Sequence, residues 1–474
     1  MNFSFKFFII VSINLAITLF VLIHDPMFDM NQASWRMLGL LFVMSLFWVT
    51  EIMPLGITAL IPIVYAPLAG IESLKNVTSN FGNPIIFLFL GGFMLGIAME
   101  KWELHKRISL NLLNKVGPHP KKQLITFMAI SAVFSMWISN TATVVILLPV
   151  ALAIINNHYK DNTNFSKALL IGIAYSASIG GMGTLIGTPP NILLRGFLEA
   201  NFNIKISFVD WMILAMPLVL VFLVAIYFVL TKVFSIKNVN TVSSDNYDFK
   251  DDIAKLGKMK LGEKLVSTVF ILTAICWVFR ELINKILNID LTDEIIAVIA
   301  LLCLFLIPVS LKEKKFLMDF EHLKKVPWDI LLLFGGGLAL SGLFIKSGLD
   351  TWIAEHLGLI QALSLLIIIF IIVLIIVAST EFTSNTAMSA TFLPIIGALA
   401  IKLGFNPLLL TIPLVMGASC AFMLPVGTPP NAIIFGSGKI KIIDLVKSGI
   451  CLNILSIILI SVYAYFVIPL IFKL

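Results

Sequence analysis

Apolar stretches of roughly 20 residues follow one another along the whole chain, and this pattern restricts the fold more than any other feature. A run of that length crosses the hydrocarbon core of a bilayer as a helix, which bonds its own backbone polar groups. Of the 474 residues, 59% are hydrophobic and only 12% are charged, whereas average chains carry about 25% charged residues. The sequence therefore predicts an all-α polytopic membrane protein with about 11 membrane helices.

Two short polar phrases interrupt these apolar stretches, and each phrase occurs twice. Ser139-Asn140-Thr141 recurs 245 residues later (384 − 139) as Ser384-Asn385-Thr386. Gly187-Thr188-Pro189-Pro190-Asn191 recurs 240 residues later (427 − 187) as Gly427-Thr428-Pro429-Pro430-Asn431. Helix-breaking backbone at membrane depth is tolerated only where protein or a wet cavity satisfies it. The first phrase predicts the tip of a re-entrant helical hairpin and the second predicts a broken helix, so the chain contains two transporter-type repeats.

Lysine and arginine predict the orientation of the helices. With the N-terminus in the cytoplasm and each hairpin returning to its own side, most of the 33 basic residues fall in cytoplasmic loops, as the positive-inside rule requires. The same arrangement places the C-terminus outside. It also makes the two hairpins enter from opposite faces, because an odd number of spans separates them. We therefore expect two inverted repeats in a multi-pass protein of the cytoplasmic membrane.

The repeated phrases have the chemistry of an ion site. A half-helix that begins after a tip presents free N–H groups and a positive dipole end to an anion. A half-helix that ends before a tip presents free carbonyls, which suit Na⁺, while Ser, Thr and Asn side chains add hydrogen-bond donors. Two such tips at the membrane midplane predict a site for an anion with two negative ends. The apolar segments hold no pair of histidines or aspartates of the kind an intramembrane protease needs, so we expect no enzyme. The basic residues lie in short loops, as membrane topology requires, so the net charge of +7 indicates no nucleic-acid partner.

Together with Phe47-Trp48-Val49-Thr50-Glu51-Ile52-Met53-Pro54, these phrases resemble the divalent anion:sodium symporters, which include the INDY-type dicarboxylate transporters. The likeness extends over essentially the whole chain. It implies a homodimer with a scaffold and an elevator-like transport domain, and no cofactor beyond co-transported Na⁺. It implies substrate contacts at Ser139, Asn140, Thr141, Thr188, Pro189, Ser384, Asn385, Thr386, Thr428 and Pro429. It implies Na⁺ ligands at Ser135, Ser139, Asn140 and Gly187 for a first site, and at Thr380, Thr383, Asn385 and Gly427 for a second.

The apolar runs and one polar stretch divide the chain into five segments, and the likeness implies which of them are scaffold and which are transport domain. Scaffold helices occupy residues 1–122 and 264–359, and a cytoplasmic linker occupies residues 235–263. Residues 123–234 hold the first hairpin and broken helix, and residues 360–474 hold the second hairpin, the second broken helix and the last helix. These two segments are expected to form the transport domain.

Two charged residues leave alternatives open. Arg195 lies one helical turn beyond Asn191, where it either extends to the outer interface or gives the substrate a permanent positive charge. Glu381 directly precedes the second tip, where it caps or pairs locally, or tunes a cation site. The leading function is Na⁺-coupled transport of C4–C5 dicarboxylates such as succinate, malate, fumarate and 2-oxoglutarate. Sodium-independent dicarboxylate exchange and transport of sulfate or another inorganic divalent anion remain the alternatives.

Overall fold

The computed structural model describes residues 3–116, 119–159, 163–236, 254, 256–356 and 363–474, and helices dominate these residues. The first half of the chain contains α1 (Phe3–Ile23), α2 (Gln32–Thr50), α3 (Leu55–Thr58), α4 (Ile61–Leu68), α5 (Leu74–Ser79), α6 (Pro84–Lys101), α7 (Leu104–Val116), α8 (Pro120–Ser135), α9 (Asn140–His158), α10 (Thr163–Gly181), α11 (Pro189–Phe202) and α12 (Phe208–Val233). One turn of 3₁₀ helix, Asn80–Gly82, precedes α6.

The second half contains α13 (Leu261–Val278), α14 (Arg280–Leu287), α15 (Asp293–Leu306), α16 (Phe320–Leu323), α17 (Trp328–Lys346), α18 (Leu349–His356), α19 (Leu365–Thr380), α20 (Asn385–Lys402), α21 (Leu408–Ala418), α22 (Pro429–Gly436) and α23 (Ile442–Phe472). Two short antiparallel strands, β1 (Pro308–Ser310) and β2 (Lys315–Phe316), follow α15. The structure thus confirms the all-α fold, with this small ladder as an addition that hydropathy did not indicate.

The two predicted hairpins and the two predicted broken helices are present. Helices α8 and α9 form the first hairpin, and α19 and α20 form the second, with the Ser-Asn-Thr phrase at the turn in each. Helices α10 and α11 are the two arms of the first broken helix, and α21 and α22 are those of the second. The breaks span residues 182–188 and 419–428, so the repeat read from the sequence is also a repeat of structure.

Local chemistry explains where the helices after each tip and each break begin. Ser139 and Ser384 are the N-caps of α9 and α20, and their hydroxyls accept the N–H groups of Ala142 and Ala387 at 3.2 and 3.5 Å. This satisfies one of the four N–H groups that a helix start leaves without an internal partner. Helices α11 and α22 instead begin with proline, which lacks the N–H that would be unpaired there.

Six described helical segments are long and apolar enough to cross a membrane, and they are Gln32–Thr50, Leu74–Lys101, Phe208–Val233, Leu261–Val278, Trp328–Lys346 and Ile442–Phe472. Shorter apolar helices occur in both hairpins and in the second broken helix, where half-spans are expected. The count of about 11 membrane helices stays a prediction.

The predicted linker 235–263 extends three residues too far, because α13 already begins at Leu261. Residues 237–253 and 255 of this linker lie outside the described residues.

Close packing holds the first broken helix against the first hairpin. Helix α10 is buried from Ala168 to Gly181. At Gly180 a Cβ atom would lie 2.3 Å from the carbonyl oxygen of Ala132 on α8, so only glycine permits this approach. Small residues allow membrane helices to touch along their backbones, which gives the van der Waals contact that replaces the hydrophobic effect in lipid. The two elements therefore behave as one packed unit.

Candidate functional site

A cavity of about 930 Å³ lies where the two hairpin tips and the two helix breaks meet. All ten predicted substrate contacts line it, namely Ser139, Asn140, Thr141, Thr188, Pro189, Ser384, Asn385, Thr386, Thr428 and Pro429. Residues from opposite halves of the chain are thus brought together at one place. Their roles as ligands stay predictions, but their convergence is a property of the fold.

Four helices begin at this cavity. Their N-cap residues Ser139, Thr188, Ser384 and Thr428 all line it and start α9, α11, α20 and α22 respectively. Each start carries unpaired N–H groups and the positive end of a helix dipole, equivalent to about half an elementary charge. Four such ends, two from each repeat, make the cavity favourable to an anion with more than one negative group.

The predicted first cation set gathers oxygen atoms beside the first tip. The Ser135 hydroxyl donates to Asn140 Oδ1 at 2.5 Å. A Cβ atom on Gly187 would lie 2.5 Å from the carbonyl oxygen of Gly181 and 2.8 Å from that of Ser135. These carbonyl, hydroxyl and amide oxygens are ligands that suit a hard cation such as Na⁺. The fourth predicted member, Ser139, lines the cavity and caps α9.

The predicted second set repeats this arrangement beside the second tip. The Thr380 hydroxyl lies 2.6 Å from Asn385 Oδ1 and 2.8 Å from the carbonyl oxygen of Ala418. Thr383 and Gly427 line the cavity. The pair Thr380–Asn385 has the same spacing and the same hydroxyl-to-amide contact as Ser135–Asn140 in the first repeat. Both tips thus carry oxygen atoms of the kind that bind Na⁺, while the two cation sets themselves stay predictions.

The last residue of each Gly-Thr-Pro-Pro-Asn phrase braces its helix break, a role that the sequence did not suggest. The amide of Asn191 is fully buried and donates to the carbonyls of Gly181 and Thr184 at 3.1 and 2.7 Å. The buried amide of Asn431 donates in the same way to the carbonyl of Ala421 at 3.2 Å. The sequence did contain a signal for this role, because an asparagine that recurs within apolar sequence needs buried hydrogen-bond partners.

Glu381 caps the second break. Its carboxylate is only 2% exposed and accepts the backbone N–H groups of Phe422, Met423 and Leu424 at 2.7 to 3.0 Å. It also accepts the side-chain amide of Asn453 at 2.6 Å. Glu381 therefore acts as a cap, but the N–H groups that it caps lie 41 to 43 residues further along the chain and not in its own hairpin. A Cβ on Gly427 would lie 3.2 Å from a Glu381 oxygen, so the charge lies directly behind the predicted second cation set.

Arg195 takes neither of the two predicted positions. Its side chain is buried, so the interpretation that it extends to the outer interface is wrong. Its guanidinium contacts the carboxylates of Asp293 at 3.3 Å and Glu294 at 2.5 Å, the first two residues of α15. It is not among the cavity-lining residues in the described part of the chain, so the structure does not bring it to the predicted substrate contacts.

The mouth of the cavity carries charges that the sequence did not indicate as part of the site. Glu51, Glu100 and Asp329 line it, and Lys325 is the single basic side chain to do so among the described residues. All four are exposed. Because an exposed ammonium is screened by water and salt, Lys325 contributes little charge to the four helix starts at the cavity.

Comparison with known proteins agrees with the geometry of the cavity. The family described as "sodium:sulfate symporter transmembrane region" matches residues 5–472. The sodium-dependent dicarboxylate transporter SdcS of Staphylococcus aureus (strain USA300) is 42% identical over 459 residues, covering 94% of this chain and 88% of SdcS. SdcS of strain NCTC 8325 / PS 47 matches to the same extent.

Two solved structures share the fold at 13% identity. They are the YdaH transporter of Alcanivorax borkumensis, with a TM-score of 0.56 over 82% of this chain and 86% of YdaH, and MtrF of Neisseria gonorrhoeae, with a TM-score of 0.54 over 82% of this chain and 83% of MtrF. At this identity the likeness concerns the fold alone. The family match and the relatives at 42% identity carry the assignment, and they confirm the resemblance stated from the sequence: the chain belongs to the sodium:sulfate symporter family.

Proposed function

We propose that this protein is a secondary active transporter that carries C4–C5 dicarboxylates, the class of succinate, malate, fumarate and 2-oxoglutarate, across the cytoplasmic membrane with Na⁺. The relative SdcS is named a sodium-dependent dicarboxylate transporter, and its 42% identity over 94% of this chain supports the same substrate class. Membership of a family of symporters supports coupled transport in place of an enzymatic reaction.

One observation carries the proposal: helix starts from both repeats converge on one cavity, and an oxygen-rich set lies behind each tip. Each repeat thus offers two positive helix ends, which suit one carboxylate of a dianion. A dianion at membrane depth needs further positive charge, because an unpaired buried charge is very costly. Arg195 is neutralised by Asp293 and Glu294, and Lys325 lies at the exposed mouth. Bound Na⁺ supplies the missing charge.

Coupling follows from this arrangement by linkage. If Na⁺ raises the affinity for the dianion, then the dianion raises the affinity for Na⁺ by the same factor. The predicted sets for this role are Ser135, Ser139, Asn140 and Gly187 in the first repeat, and Thr380, Thr383, Asn385 and Gly427 in the second. Their oxygen atoms suit Na⁺, and thiolate or imidazole ligands, which select softer metals, are missing from both sets.

We also propose the domain organisation that the family resemblance implies. Segments 123–234 and 360–474 form a transport domain that moves, segments 1–122 and 264–359 form a scaffold, and two copies assemble as a homodimer. The N-terminus is cytoplasmic and the C-terminus is outside, which makes the repeats inverted. The contacts of α10 with α8, and of α22 with α9 and α10, support a transport domain built from both halves.

Uptake into proteoliposomes tests the function. Labelled succinate, malate, 2-oxoglutarate and sulfate are supplied with an inward Na⁺ gradient or with choline, each with and without internal dicarboxylate. We expect Na⁺-dependent uptake of the dicarboxylates, independent of internal substrate, and no uptake by protein-free liposomes. Equal uptake in choline that requires internal dicarboxylate would instead establish exchange, and uptake of sulfate alone would establish an inorganic anion as substrate.

A further inference from the structure

Four charged residues form a compact cluster away from the cavity. Arg195 contacts Asp293 at 3.3 Å and Glu294 at 2.5 Å, and Arg280 contacts the other oxygen of Asp293 at 2.9 Å. The backbone N–H of Phe208 also donates to Asp293 at 3.1 Å. Arg195 and Asp293 are almost completely buried, and the two positive and two negative charges balance. We call these four charged side chains the ion cluster.

The ion cluster joins a segment of the proposed transport domain to a segment of the proposed scaffold. Arg195 belongs to α11, the second arm of the first broken helix. Its partner carboxylates begin α15, which is tied to α6, since a Cβ on Gly91 would lie 2.4 Å from the carbonyl oxygen of Ala297. If α11 moves, α15 can therefore move with it only by separating from α6.

The ion cluster lies at the opposite end of these helices from the cavity mouth. Lys101 at the end of α6 contacts Asp319 at 3.3 Å, and Trp102 donates to the carbonyl of Leu317 at 3.0 Å. These contacts place the end of α6 beside the segment that follows α15, so both helices end on the same side. Asp293 begins the 14-residue α15 and is thus about 20 Å from that side. Glu100, which lines the cavity mouth, lies at the end of α6.

We propose that the ion cluster is a contact specific to one orientation of the carrier, and that it holds the cavity open towards the side of Glu100, which is the cytoplasm in the proposed topology. Arg195 is then a positioning residue for the transport cycle and not a ligand of the substrate. The inference rests on the proposed function only in assuming that the broken helices move against α6 and α15.

The ion cluster favours one orientation because separating buried opposite charges costs a large amount of free energy. Contacts of 2.5 to 3.3 Å do not survive a displacement of several ångströms. Breaking a buried pair leaves charges without partners, whereas the intact pair is close to neutral in free energy. The ion cluster therefore favours the orientation in which it is complete, and its removal shifts the population towards the other orientation.

Side-specific labelling tests the inference. Val426 lines the cavity and is 75% exposed, so Val426→Cys reports which membrane face the cavity opens to. The parent carries this change after its four native cysteines are replaced by serine. A membrane-impermeant maleimide is applied to inside-out and right-side-out vesicles without Na⁺ or substrate. In the parent we expect labelling chiefly from the cytoplasmic face.

Arg195→Gln is expected to lower the cytoplasmic labelling rate about tenfold relative to the parent, and to raise the outside rate. Lys167→Gln is the matched control, since Lys167 pairs with Asp444 at 3.0 Å within the proposed transport domain, and its labelling should equal that of the parent. Should Arg195→Gln fail to fold, Glu294→Gln, which leaves the Arg195–Asp293 contact in place, is expected to shift the two rates in the same direction by a smaller factor.

The inference would be overturned if folded Arg195→Gln or folded Glu294→Gln had the same labelling rates as the parent. It would also be overturned if Lys167→Gln changed the two rates as much as Arg195→Gln does. Because the labelling needs neither Na⁺ nor dicarboxylate, its outcome is independent of the proposed substrate. Na⁺-dependent binding of labelled succinate to detergent-solubilised Arg195→Gln gives the second readout. We expect that dependence to persist, because a positioning residue does not supply the substrate's charge. Its loss would return Arg195 to the role of counter-charge and refute the assignment.

Discussion

Replacing Glu381 with glutamine changes one charge at the second helix break while keeping the size of the side chain. The carboxylate accepts four donors, namely the N–H groups of Phe422, Met423 and Leu424 and the amide of Asn453. Every neighbour on this list is a donor, so a carboxylate, which only accepts, matches the site completely. Glutamine offers one accepting oxygen and one NH₂ group that must face an N–H group.

The expected loss follows from the bonds that glutamine cannot make. Its single oxygen can serve about two of the four donors, so two charge-assisted hydrogen bonds are lost at about 1.5 to 3 kcal/mol each. A neutral amide costs less to bury than a carboxylate, which offsets part of this loss. We expect a net cost of about 2 to 4 kcal/mol, which corresponds to at least a ~30-fold change in an equilibrium constant.

This cost should appear in Na⁺ binding, because the carboxylate holds the break that carries Gly427 of the predicted second cation set. We therefore expect Glu381→Gln to raise the Na⁺ concentration for half-maximal succinate uptake by ~30-fold or more. Thermal unfolding in detergent without Na⁺ controls for the fold. Asn453→Ala is the matched variant, since it removes one donor and keeps the charge, and it should cause a smaller increase. A folded Glu381→Gln variant with the parental Na⁺ dependence would refute this reasoning.

Three further predictions concern the tips, the breaks and the topology. Gly187→Ala should raise the Na⁺ concentration for half-maximal uptake by about tenfold or more and Gly427→Ala should do so far less, because the added Cβ would lie 2.5 Å from a backbone oxygen in the first case and 3.2 Å from its nearest neighbour in the second. Asn140→Ala and Asn385→Ala should each abolish uptake in a protein that still elutes as folded, since each removes a half-buried amide at the cavity, a loss of about 1 to 3 kcal/mol; near-normal uptake would exclude the tips from the mechanism. Ser243→Cys, in the linker, should react with an impermeant thiol reagent only from the cytoplasmic side, and labelling from outside would overturn the inverted-repeat topology.

The sequence by itself determined the class of fold and the two repeated phrases that meet at the cavity, because both depend on local chemistry. Long apolar runs without charge can satisfy their backbone in lipid only as helices. Proline and the Ser N-caps then set where helices begin, as at Ser139 and Pro189. The repetition of both phrases indicated two copies of one element, so convergence of the tips on one cavity was predictable from the sequence.

Only the tertiary structure decided what the charged residues contact. The partners of Arg195 lie 98 and 99 residues further along the chain, and Asn453 lies 72 residues beyond Glu381. No local pattern reports such separations. A charge in an apolar segment shows that a partner is needed, because an unpaired buried charge is very costly. It does not show whether that partner is substrate, water or another helix, since the choice depends on which helices pack side by side.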